Sequence, residues 1–195
     1  LPAFGSVMVQ DVPVISGSTA EAAAVKSWDF SKSIGGWMYA GGYAYSGDAS
    51  AVYDGSFGGS MKVDVDYSAD KAQGWSEVKL SDMNVTKAAP IVAGDGIKSM
   101  SFDFYFDPAQ VTGDSALKAK VFAMSVKDSE VINQPIDDLG LAKAKAVPGT
   151  NLKVAHVKVL FDDAVKADIA HLELSIVSYL TGYKGAIYIN NIQMK

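Results

Sequence analysis

The chain has no cysteine, no arginine and no apolar run approaching the ~20 residues of a membrane-spanning helix. Without cysteine there is no disulfide framework, no zinc–thiolate centre and no thiol nucleophile. Absence of cysteine fits either redox compartment, although it suits an extracellular bacterial module that has dispensed with oxidative folding. All 17 basic residues are lysines, set against 22 acidic ones for a net charge of −5. The planar guanidinium fork that pairs with phosphates and bases is therefore missing, and nucleic acid is disfavoured as a partner. Phosphate and uronate polymers are disfavoured for the same reason, which leaves a neutral partner and no membrane. Histidine is nearly absent too. His156 and His171 lie far apart without ligand spacing, so surface or edge positions are expected rather than metal or catalytic roles. No nucleophile elbow, phosphate loop or dinucleotide fingerprint occurs.

What remains is a chain of 195 residues, 49% hydrophobic and 20% charged, enough for one all-β domain with a substantial core. It begins at Leu1 without a methionine or a leader pattern and reads as a processed or excised piece of something longer. Residues 1–26 carry Pro2, Pro13, a Ser-Gly-Ser spacer and an alanine-rich stretch. They are expected to form a linker or, through Val7, Val9, Val12 and Val14, a terminal strand. Residues 27–195 are expected to form the folded domain.

Strand periodicity dominates that domain. Met61, Val63, Val65 and Tyr67 alternate with Lys62, Asp64, Asp66 and Ser68, the pattern of a half-buried strand. Met100, Phe102, Phe104 and Phe106 form the cleanest core face, closed by Asp107-Pro108. Further strands are expected at 28–30, 37–39, 116–126, 154–161 and 171–180, with loops and short strands at 41–59, a loop at 128–148 and room for one helical turn at 162–170. In the last strand, 185–194, Ile187 and Ile189 alternate until Asn190-Asn191 shifts the phase before Ile192 and Met194. One extra residue there predicts a β-bulge. Many short strands with close turn signals predict an all-β sandwich of jelly-roll type, with short helical turns in its loops.

The aromatic residues carry the functional signal. After a polar turn, Trp75 shares a strand face with Glu77 and Lys79, while Val78 and Leu80 point the other way. A large flat ring on a charged outward face suits a sugar platform, since indole offers a polarisable surface to C–H-rich rings. Trp28, in phase with Phe30, is expected in the core, whereas Trp37 is evenly poised between core and platform. Asp64 and Asp66 lie on one strand face at spacing i,i+2, which is ordinarily a solvated face and only in a minority reading a glycosidase pair.

The ordered set WDFS, GW, GGSMKVDV, GWSEVKL, SFDFYF and GAIYINNIQM resembles the family 27 carbohydrate-binding modules, which bind β-mannan beside bacterial mannanases. The family 23 mannan-binding modules are the close alternative. The resemblance covers residues 27–195. It implies a non-catalytic module that binds β-mannan or manno-oligosaccharides, acts as a monomer, is covalently joined to a catalytic domain, and works outside the cell or at its surface. It also implies stacking roles for Trp37 and Trp75 and a hydroxyl-accepting role for Glu77. The family's third platform, a tryptophan around 127–133, is missing, so the groove is expected to be shorter or to be completed by Tyr39, Tyr179 or Tyr183. Finally, it implies a structural calcium held through Asp29 and Asn190, the latter standing where aspartate is usual. Two other readings stay open: a small jelly-roll enzyme acting through carboxylates such as Asp64 or Glu77, and a spacer that binds no carbohydrate.

Overall fold

The computed structural model of the chain describes residues 23–195; the possible terminal strand at Val7–Val14 lies outside them. Twelve strands follow in order: β1 (Lys26–Trp28), β2 (Trp37–Tyr43), β3 (Ser50–Asp54), β4 (Ser60–Asp66), β5 (Ser76–Asp82), β6 (Ile97–Phe106), β7 (Ala116–Ser125), β8 (Glu130–Ile136), β9 (Lys145–Ala146), β10 (Lys153–Val165), β11 (Ile169–Tyr179) and β12 (Lys184–Met194). They make two sheets. The seven-stranded sheet has the order β9-β10-β6-β12-β4-β3, with β1 also on β12, and the five-stranded sheet has the order β2-β5-β11-β7-β8. Their pairings are all antiparallel. Among the described residues helix is confined to three-residue turns at Ser56–Gly58, Ser68–Asp70, Pro108–Gln110 and Leu141–Lys143, and none is long and apolar enough to cross a membrane.

The alternation in the sequence becomes the sandwich core. Met61, Val63 and Val65 of β4 and Met100, Phe102, Phe104 and Phe106 of β6 are buried from one side, and Val78 and Leu80 of β5 from the other. Each such side chain contributes on the order of 1.5–3 kcal/mol through removal of its apolar surface from water. Tyr67, fully buried just after β4, crosses this layer: its hydroxyl donates to the Ile176 carbonyl of β11 at 2.7 Å. The hydrogen bond ties one sheet to the other through an otherwise apolar interior.

The bulge expected in β12 is present. Asn190 stands opposite Asp103 and Gln193 opposite Ser101, so one extra residue enters β12, and Asn191 takes the left-handed conformation at φ 53° that asparagine tolerates better than most residues. Ile189 and Ile192 consequently both face the core. Before the bulge β12 pairs with β4 from Lys184 to Ile189, and beyond it with β1 from Ile192 to Met194.

Two segments depart from expectation. The loop expected over 128–148 contains β8 and β9. Its polar Asn133 and Gln134 and the following Pro135 hide a strand because β8 is an edge strand, bonded only to β7, and an edge tolerates both proline and an exposed face. The helical turn allowed for at 162–170 is absent: β10 runs on to Val165, with a register shift between Leu160 and Val165.

Candidate functional site

The outer face of the five-stranded sheet collects the aromatic and charged residues. Inward Val78 and Leu80 force Glu77 and Lys79 outward, and the register sets Glu77 between Val177 of β11 and Tyr43 of β2. Trp75, half-buried just before β5, donates its indole N–H to Glu77 Oε2 at 2.8 Å. Lys120 of β7 brings its Nζ to 3.8 Å from the same oxygen. Although it faces away from the core, Glu77 is only 4% exposed. A carboxylate so enclosed needs donors and countercharge to stay ionised at low cost, and Trp75 and Lys120 supply them.

Tyr179 lies at the Trp75 end of this face. The Leu180 amide donates to the Gln73 carbonyl at 2.9 Å, tying the loop before Trp75 to the end of β11. Lys118 places its Nζ 4.6 Å from the centre of the Tyr179 ring and 3.3 Å from Asp137, a cation over an aromatic face. Aromatic rings and hydrogen-bonding heads thus alternate across three strands.

Three of the expected residues belong elsewhere. Trp37 is 3% exposed: it pairs with Asp82 in phase with Leu80, points into the core, and meets Trp28 and Phe30 edge-on at 5.5 and 6.4 Å. No sugar reaches its ring. Tyr183 is fully buried, its hydroxyl accepting from the Asp107 amide and donating to the Ala186 carbonyl, and burial pushes its pKa up to about 12. Tyr39 stands opposite Leu80 and packs half-buried against the core. Trp28, expected inside, is half-buried at the rim with its N–H donated to Asp82 at 2.9 Å. Sequence reading missed Tyr43, which is 60% exposed. A register shift between Tyr39 and Gly42, with Gly41 at φ 108°, turns Tyr43 out beside Glu77. Paired glycines inside a strand were the available signal.

A family model described as "Carbohydrate binding module 27" matches residues 18–195. The chain belongs to that family. Among solved structures, the family 27 module CBM27-1 of Caldicellulosiruptor saccharolyticus in complex with mannohexaose is similar with a TM-score of 0.63 and 15% identity, over 87% of this chain and 96% of that one. TmCBM27, whose structure concerns specific mannan recognition, gives 0.61 and 16% over 90% and 98%. CBM28, a module specific for non-crystalline cellulose, gives 0.62 and 17% over 94% and 99%. At these identities the likeness shows the fold, a β-sandwich common to such modules. Curated protein sequences yield no match.

Family 27 is a family of binding modules rather than catalytic domains, and the carboxylates of this member agree. Asp64 lies on the outer face of the seven-stranded sheet and Glu77 on that of the five-stranded sheet, so they do not flank a common bond. Asp66 is engaged by Ser68. The histidines are divided likewise, His156 beside Asp103 on the larger sheet and His171 beside Glu173 on the smaller, at 2.5 and 2.7 Å.

The residues expected to hold calcium in this family 27 member fit a cation unequally. Asn190 is 6% exposed and its Oδ1 has no hydrogen-bond partner. Its Nδ2 donates to the Phe57 and Gly59 carbonyls at 3.1 and 3.2 Å, so in this orientation the amide nitrogen, not its oxygen, faces those two carbonyls. Asp29 is exposed, with a carboxylate that accepts from the Ser31 amide, which lowers its pKa. Among the described residues no group of three or more histidine or acidic side chains is placed to hold a metal.

Proposed function

We propose that this module binds β-mannan, including gluco- and galactomannan, on the outer face of its five-stranded sheet, with Trp75 and Tyr179 as stacking platforms, Tyr43 beside them, and Glu77 reading hydroxyls. The observation that carries this reading is the indole–carboxylate pair Trp75–Glu77, set beside Tyr179 on an outward face of a family 27 sandwich. The family 27 structure with bound mannohexaose supports the choice of polymer. Two or three platforms without a buried charge on the ligand give micromolar binding, about 8 kcal/mol.

Covalent attachment to a secreted bacterial mannanase belongs to the same reading, with the module acting as a monomer that raises enzyme concentration at the polymer. A calcium ion held by the Asn190 amide oxygen, turned toward the Phe57 and Gly59 carbonyls in place of the amide nitrogen, would pin the 55–59 loop to β12, hard oxygen donors being what such an ion requires. Chelator-sensitive thermal melting tests that part alone.

The binding test is affinity electrophoresis in galactomannan gels, with Trp75→Ala as control. Retardation of the wild type and free migration of the variant are expected, and unretarded wild type would overturn the proposal.

A further inference from the structure

A second constellation repeats the chemistry of the sheet face at one end of the sandwich. A cleft of about 340 Å³ opens between β1, the 29–36 loop and the end of β5. There Trp28 donates its indole N–H to Asp82 Oδ2 at 2.9 Å, as Trp75 does to Glu77, and Lys26 sets its Nζ 5.5 Å from the Trp28 ring centre. Asp82 is only 5% exposed and is oriented by a second bond, from the Asn84 amide to its Oδ1 at 3.0 Å. A carboxylate accepts about four hydrogen bonds, so both oxygens keep capacity for hydroxyl donors. The Asn84 side-chain amide takes no partner among the described residues, adding a donor and an acceptor at the rim. Gly36 allows the loop to close on this pair, since a Cβ there would stand 2.7 Å from Asp82 Oδ1 and from Asn84 Cγ.

We infer that this cleft is a second sugar site, separate from the sheet face, that takes one neutral pyranose, a chain end or a side branch. Its volume lies at the lower limit for small-molecule sites, ~300–1,000 Å³, too small for a run of polymer. Asp82 and Asp29 outweigh Lys26 in charge, which disfavours uronates and phosphates. An indole beside a carboxylate and an amide supplies an apolar edge for ring C–H groups and acceptors for their hydroxyls.

The chain has three tryptophans, so three indole N–H signals in a ¹⁵N NMR spectrum report the two sites and the core separately. In Trp75→Ala, titration with mannose, galactose or glucose singly is expected to move the Trp28 signal and leave Trp37 in place. Asp82→Asn is expected to weaken that response about tenfold, the worth of a hydrogen bond to a charged group. Asn84→Ala, at the exposed rim, should weaken it without endangering the fold. A Trp28 signal unmoved by every sugar at concentrations well above millimolar overturns the inference, as does a response undiminished in both cleft variants. Should mannohexaose fail to move Trp75 in the wild type while Trp28 responds to a monosaccharide, the sheet-face proposal fails and the cleft stands.

Discussion

Trp75 and Glu77, two residues apart on one strand face, meet at 2.8 Å through the indole N–H. The bond fixes the angle of the ring before any ligand arrives, so the platform loses little rotamer freedom on binding. It also shows how a carboxylate only 4% exposed survives on an outward face.

Trp75→Ala is therefore expected to weaken mannohexaose binding by roughly 30-fold or more, the ~2 kcal/mol that marks a binding hot spot. Tyr179→Ala should cost less, because Lys118 already occupies one side of its ring. Isothermal titration of both variants checks the order.

Glu77→Gln keeps the shape and removes the charge that Lys120 faces at 3.8 Å. Loss of about 1–3 kcal/mol in stability is expected from the weakened indole bond and the unmatched ammonium. Affinity should fall as well. Urea unfolding and sugar titration of the same variant separate the two effects.

Trp37→Ala probes a core position rather than a platform. It should destabilise the fold by roughly 3–5 kcal/mol, as removal of a large buried aromatic does, while any folded fraction binds mannohexaose with wild-type affinity. Loss of affinity without loss of stability would restore Trp37 to the groove.

Alkaline titration tests the buried phenols. Burial raises Tyr67 well above the ordinary value of 10 and Tyr183 to about 12. Above pH 10 the unfolded chain releases these protons and the folded chain holds them, so stability is full below pH 10 and falls as pH rises through about 12. Each phenol contributes a slope of at most about 1.4 kcal/mol per pH unit. Tyr67→Phe should flatten the profile at the cost of the bond to Ile176. Thermal melting between pH 9 and 12 is the measurement.

The periods of β4, β5, β6 and β12 made the sandwich legible in the sequence, and Val78 and Leu80 correctly placed Glu77 on the outward face. The bulge at Asn190-Asn191 was legible too, because Ile189 and Ile192 can face the same core only if the strand between them carries one residue too many. The rest failed where backbone geometry overrides the period of two. Gly41 in β2 reverses the face of everything after it, which hid Tyr43, whereas Trp37 and Tyr39, before the shift, keep the inward phase of Leu80 that no local pattern announces. Tyr183 follows β11 in a turn whose burial no local pattern announces. β8 was lost because an edge strand needs only one satisfied side, so Pro135 could stand within it.

β1 and the end of β12 lie antiparallel with residue 26 opposite residue 194, and the Val25 amide donates to the Met194 carbonyl beyond them. Polypeptide attached before β1 or after β12 leaves from the same end of that pair. Tension between such attachments opens the hydrogen bonds one after another, as a zipper, instead of loading them together in shear. A pulling force applied through such attachments is therefore expected to release β1 before it disturbs the Trp75 face.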